Sequence, residues 1–390
     1  MKVLFLEWNC FCIDDLKDAY KEIGNEVVSF PFFPESYRFD PAYESSLTQE
    51  IHKHTPDYIF SFNYYPVISK VCSAEDVPYV CWVYDSPYIT LYSYTTISPC
   101  NHIFIFDKEL AYEFIKNGIQ TVHYLPLAAN TKRLDGMNDL RAFSRSPHTN
   151  KTDISFVGAL YTESYKSGFF RRFDNLSPFA KGYLDGVMAA QKNVYGYNFV
   201  QETLTPEIME DMMTVCPSMT NDDGVESNEY IYSQYYVNRK ITSIERTELL
   251  QAIADRYPVD IYTPDQSFQH PNAVLHEPMD PYLIAPYVYK SSKINLNMSL
   301  RSIKSGIPLR AFDIMGAGGF LLSNYQTDFF DLFMPGDDFA FYDSQRDLLD
   351  KLHYYLHNEQ ERIEMAASAH DKIARDHTFV HRIKEMESHL

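Results

Sequence analysis

Short apolar runs alternate with helical stretches along almost the whole chain, and this alternation restricts the fold more than any other feature. In the first part the runs fall at residues 3–7, 26–30, 58–62, 79–84, 102–106 and 122–125. Amphipathic segments lie between several of them. After Asp14 and Asp15, for example, Leu16, Ala19, Tyr20 and Ile23 share one helical face, and Gly24 stops the helix. Runs that are apolar throughout suit strands covered on both faces. Strands of this type alternating with helices predict an α/β architecture, a parallel sheet with helices on either side.

Residues 131–152 lose this periodicity and turn polar, so an interdomain linker is expected at 136–152, after a first domain at 1–135. A second series follows, with apolar runs at 153–157, 257–262, 273–276, 293–297, 320–322 and 339–342. Between about 165 and 240 no strand signal occurs, and helical patterns there predict an insertion, followed by a helix at 243–256. The second domain is expected to run over 153–375, with a separate C-terminal helix at 376–390. Two doubly wound domains leave a cleft between the carboxyl edges of their sheets, where ligands of such sheets bind.

Charge narrows the partners. The chain of 390 residues has 53 acids against 34 bases, a net charge of −19, which argues against nucleic acid or an anionic membrane surface. No apolar run approaches the ~20 residues needed to cross a bilayer, and residues 1–8 do not read as a signal peptide. Cys10, Cys12, Cys72, Cys81, Cys100 and Cys216 form no paired metal-type spacing, so free thiols and a cytoplasmic location are expected. No Asp-x-Asp run and no clustered His/Cys ligands occur, so no metal and no cofactor is expected. Oligomeric state stays open.

Against this acidic background, residues 290–312 carry Lys290, Lys293, Arg301, Lys304 and Arg310 with no acid. The apolar run ending at Asn297 passes through a Ser/Gly loop into a helix expected to open at Pro308. Small residues, fixed cations and a helix start suit a phosphate. Two or three charge-assisted hydrogen bonds of ~1.5–3 kcal/mol each would hold a diphosphate without metal. Gly158, after the second domain's first strand, would let the backbone approach the same group, and Asp313 suits a ribose diol.

Several segments resemble the CgeB-like glycosyltransferases, two-domain GT-B proteins with a family-1-type C-terminal domain. They are residues 57–63, 78–87, 124–128, 155–161, 293–297 and, most specifically, Gly306-Ile-Pro-Leu-Arg310-Ala-Phe-Asp313-Ile-Met-Gly-Ala-Gly-Gly319. The resemblance implies two Rossmann-like domains, a nucleotide-sugar donor (UDP-sugar favoured) in the second, and an acceptor hydroxyl on a glycan, protein or small molecule in the first. It also implies donor contacts from Gly158, Tyr161, Glu277, Met279, Asn297, Arg301, Lys304, Ser305, Gly306, Arg310 and Asp313. Asn9, Phe11 and Asn63 are acceptor-side candidates. Many retaining relatives carry two glutamates eight positions apart; here Asp313 takes the second place and Ser305 the first, so the stereochemical outcome stays open. Asp85, His123 and Lys304 are the catalytic candidates, the first two as a general base and Lys304 on the leaving group. A nucleotide-sugar epimerase of the same fold and a non-catalytic surface or spore-coat component are the alternative functions.

Overall fold

The computed structural model describes residues 1–147, 149–162, 169–218, 221 and 223–390. It divides into two compact units. Unit 1 comprises Met1–Ala128, Thr220–Glu226 and Asp376–Leu390, and unit 2 comprises Ala129–Met219 and Ser227–Arg375.

Unit 1 is built on β1 (Lys2–Glu7), β2 (Glu26–Pro31), β3 (Tyr58–Phe62), β4 (Tyr79–Val83), β5 (Asn101–Ile105) and β6 (Val122–Tyr124). They form one sheet in the order β2-β1-β3-β4-β5-β6. Every pairing is parallel, for example Val3 with Val27 and with Tyr58. Each residue of β3 and β4 is buried, as their apolar composition requires. Helix Pro41–His54 starts where it does because Asp40 accepts hydrogen bonds from the amides of Ala42 (3.1 Å) and Tyr43 (3.0 Å).

The C-terminal helix Phe379–Glu387 belongs to unit 1 and is not a separate element. Its buried Arg382 donates to the carbonyls of Pro126 (2.7 Å) and Leu127 (3.1 Å). Burial pushes that guanidinium down to about 10. Phe379 sets its ring edge-on to Trp82 at 6.0 Å, and Glu387 accepts from Tyr58 Oη (3.0 Å) and from Asn25.

Unit 2 contains β7 (Ile154–Val157), β8 (Val259–Tyr262), β9 (Ala273–His276), β10 (Ile294–Asn297), β11 (Leu321–Asn324) and β12 (Ala340–Tyr342). They form a second wholly parallel sheet, ordered β12-β11-β10-β7-β8-β9. The chain reverses its direction of travel across the sheet between β7 and β10. Its core joins Phe156, Ile261, Leu296 and Leu322 to Leu249, Leu250 and Ile253 of helix Asn238–Ala254. Each fully buried Leu, Ile or Phe of this kind stabilises by ~1.5–3 kcal/mol.

The helical insertion forms a core of its own around Leu184, Met188, Ile208, Met212, Tyr232 and Val237. Its helices Pro178–Lys192 and Pro206–Val215 begin at prolines, behind Ser177 and Thr205 caps. A turn of π-helix, Tyr232–Val237, runs directly into helix Asn238–Ala254, which therefore starts earlier than the 243 expected.

The expected linker also changes. Residues 136–152 are part of unit 2 instead of a free linker. Phe143 is buried with Tyr262 and Val288, and Asp260 accepts from the amides of Lys151 (2.9 Å) and Thr152 (2.7 Å). One buried ring and one buried carboxylate tie down a segment whose composition reads as polar loop. Among the described residues, no helix is long and apolar enough to cross a membrane.

Candidate functional site

In a doubly wound sheet the ligand crevice lies at the carboxyl ends of the strands where the order reverses. In unit 2 that point lies between β7 and β10, so the loops after Val157 and Asn297 flank it. The helix Leu309–Gly316 supplies Arg310 to the same place. Pro308 is the residue before the helix and not its first turn, and as the N-cap it makes no side-chain cap bond. Proline offers the first-turn amides no side-chain acceptor, and the Ala311 amide turns back to the Pro308 carbonyl (2.9 Å), so an anion at the Leu309 and Arg310 amides is favoured.

Arg310 is the central cation. Its Nη1 donates to Asn297 Oδ1 at 3.3 Å, and its guanidinium stands 5.7 Å from the Phe156 ring centre. It meets no carboxylate at ion-pair distance among the described residues, which sets it apart from Arg301. Gly158 is needed beside it: a Cβ there would fall 2.8 Å from Arg310 Nη2 and 3.2 Å from the Phe156 ring. Asn297, fully buried, is fixed by donating to Ser323 Oγ (2.9 Å) and Ser299 Oγ (3.2 Å), so its carbonyl oxygen is presented to Arg310. Asp313, half-buried one turn further, lies close enough to Tyr289 that its charge adds to burial in pushing that phenol up.

Arg301 is a correction to the expected donor contacts. It is 9% exposed and forms a two-pronged pair with Glu245, Nε to Oε2 at 2.6 Å and Nη2 to Oε1 at 2.8 Å. Its remaining donors reach the carbonyls of Val194 (2.7 Å) and Lys192 (2.8 Å), and Tyr195 stacks 4.2 Å from it. Burial lowers its proton affinity, and Glu245 more than offsets this. Arg301 thus clamps the loop to the insertion. Lys304 is half-buried and lines a cavity with Gln191, Tyr197, Asn198, Asn324 and Gln326, also against the insertion. Ser305 is 1% exposed, its carbonyl accepts from the Asp328 amide at 3.2 Å, and Gly306 is buried.

Glu277 and Met279 follow β9, the outer strand on the far side of β8 from the reversal. Glu277 is exposed, while Met279 packs on the cluster of Phe143, Tyr262 and Val288. Tyr161 has a left-handed backbone (φ 56°), and its ring lies 5.1 Å from Arg239 and 5.3 Å from Arg246. Arg246 was not singled out by sequence. It is 3% exposed, and bonds the carbonyls of Ala159 (2.6 Å) and Met298 (3.1 Å), one from each flanking loop.

In unit 1 the carboxyl edge is organised by Asn63, buried and left-handed (φ 60°). Its Oδ1 accepts from the amides of Tyr84 (3.2 Å) and Asp85 (3.3 Å), and its Nδ2 donates to Asp85 Oδ2 (2.8 Å). Asn63 therefore holds the turn that presents Asp85. Asp85 keeps solvent contact, yet the protein mass around it lifts its carboxyl above the usual range, and the Asn63 bond partly offsets this. Neighbouring Cys10 is pushed up to about 12 by burial. Asn9 and Phe11 are exposed in the loop after β1.

His123 does not join them. It sits within the edge strand β6, its ring 5.2 Å from Phe104 and 4.2 Å from His389. Burial, with His389 and His102, lowers it to about 4. Its position is strand-interior, packed against Phe104 and the C-terminal His389. Among the described residues, no group of three or more His, Cys, Asp or Glu side chains is placed to hold a metal ion.

Two wholly parallel, doubly wound six-stranded sheets in one chain define the GT-B fold. Residues 242–388 match the model of the family described as Glycosyl transferase-like. Among solved structures, HepE of Anabaena in complex with UDP-glucose is 10% identical with a TM-score of 0.56, covering 100% of this chain and 99% of that one. The sucrose-phosphate synthase of Thermosynechococcus elongatus is 8% identical with a TM-score of 0.55, covering 100% and 98%. A glycosyltransferase from Rickettsia africae ESF-5 is 9% identical with a TM-score of 0.54, covering 99% and 97%. At these identities the likeness establishes the fold. A comparison with curated proteins gives no match.

Proposed function

We propose that this chain is a glycosyltransferase that moves a sugar from a nucleoside diphosphate sugar to an acceptor hydroxyl. The observation that carries the reading is Arg310: a guanidinium at the reversal point of unit 2, held by Asn297 and Phe156 and, among the described residues, bonded to no carboxylate. An ion-paired arginine would be spent, as Arg301 is. An unpaired one beside an uncapped helix start is completed by an anion. The family match over 242–388 and the fold shared with HepE, which was solved with UDP-glucose, support a UDP-sugar. The motif from Gly306 to Gly319 supports the narrower CgeB-like assignment.

In this reading Arg310 and the amides at Leu309 bind the diphosphate and stabilise the negative charge that grows on it as the glycosidic bond breaks. Asp313 takes the ribose hydroxyls. Asp85 accepts the acceptor's proton, a role its raised carboxyl favours. Charge neutralisation by Arg310 and the helix start makes transfer metal-independent, so turnover should survive EDTA.

The test is calorimetric titration of the full chain with UDP, GDP and dTDP. UDP is expected to bind, and Arg310→Met to weaken it at least tenfold with the fold intact. Failure of all three to bind would remove the transferase reading.

A further inference from the structure

We infer that Arg246 is the positioning residue of the donor site, a buried cation that fixes the separation of the two loops flanking it. This rests on the transferase reading of that site. Arg246 stands on helix Asn238–Ala254, beneath the reversal point. Its Nη1 donates to Ala159 in the loop after β7, and its Nε and Nη2 both donate to Met298 in the loop after β10. One rigid planar group therefore spans both loops, which a lysine cannot imitate.

Among the described residues Arg246 also meets no carboxylate at ion-pair distance. Its neighbour Glu245 is bonded to Arg301 and Tyr195 instead. Arg246 and Arg310 both lie against Phe156, at 5.5 and 5.7 Å from its ring centre. Burial, with the nearby Arg310 acting in the same direction, lowers Arg246 to about 10. Two cations sharing one ring repel each other, and the relief grows with the negative charge of the anion that joins them. The pair thus favours a diphosphate over a monophosphate, although only Arg310 is accessible enough to touch it.

The experiment titrates UDP, UMP and uridine into the wild type, Arg246→Lys and Arg246→Met, with circular dichroism as the control for folding. Wild type should prefer UDP to UMP by more than tenfold. Both variants should lose at least tenfold in UDP affinity while uridine binding changes less than twofold, a split that general loosening would not produce. In Arg246→Ala, added guanidinium should restore UDP binding, and tetramethylammonium at equal ionic strength should not. Wild type that binds no nucleotide defeats the transferase reading itself. Wild type that binds UDP, with folded Arg246 variants within twofold of it, defeats only the positioning role. Should no variant fold, amide exchange of the wild type decides. UDP must slow exchange in the Ala159 and Met298 loops together, and protection of one loop alone overturns the inference.

Discussion

Replacing Arg301 with Met should cost unit 2 about 4 kcal/mol. Removing one partner of a buried ion pair costs ~3–5 kcal/mol, because the remaining charge stays buried and uncompensated. Here that charge is Glu245, 5% exposed, and the carbonyls of Val194 and Lys192 lose their donors as well. At about 2–4 °C per kcal/mol for a unit of this size, the midpoint should fall by roughly 10 °C. The chain offers a built-in way to localise the loss. Its two tryptophans, Trp8 and Trp82, both belong to unit 1. Urea unfolding followed by tryptophan fluorescence should therefore match wild type, while far-ultraviolet circular dichroism should show the early transition. The double variant Arg301→Met/Glu245→Leu should recover at least half the loss, since a buried pair replaced by apolar groups is often neutral. A loss below about 1 kcal/mol, together with tenfold weaker UDP binding in the folded variant, would refute this account and restore Arg301 as a ligand contact.

Three further outcomes are expected. Gly158→Ala should fold normally but bind UDP at least tenfold more weakly by calorimetry, because its new methyl displaces the Arg310 guanidinium 2.8 Å away. His123 is lowered in the folded chain to about 4 from an ordinary 6.5, so the unfolded chain binds more protons between those values. Stability should thus fall as pH drops through that window, by about 1–2 kcal/mol after solvent screening, and His123→Phe should flatten the dependence in thermal melts. Asp85 is shifted upward, so its ionised form opposes folding at neutral pH; Asp85→Asn should raise the midpoint at pH 7, fade in effect below pH ~4, and abolish turnover.

The strands were legible because apolar runs bounded by turn residues carry their own signal, and their parallel pairing follows from the helices between them. Asn297, Gly158 and Arg310 could be gathered because sheet order places the loops after β7 and β10 together. The pairing of Arg301 was missed for a physical reason. A cation in a stretch without acids looks available, yet its partner Glu245 lies 56 residues earlier, and no local pattern announces a pairing at that range. Arg246 did leave a trace. With Leu249, Leu250 and Ile253 at i+3, i+4 and i+7, it occupies the apolar stripe of its helix, where a charged residue needs an explanation. His123 read as a candidate base by residue type, and only packing shows its ring beside Phe104 and His389.

The Arg382 staple has a consequence for biosynthesis. Residues 376–390 emerge from the ribosome after all of unit 2, yet they supply the guanidinium that holds the carbonyls of Pro126 and Leu127. Of the two sheets, the one translated earlier is consequently finished later, and it must wait with Trp82 lacking its Phe379 neighbour while some 250 residues are made.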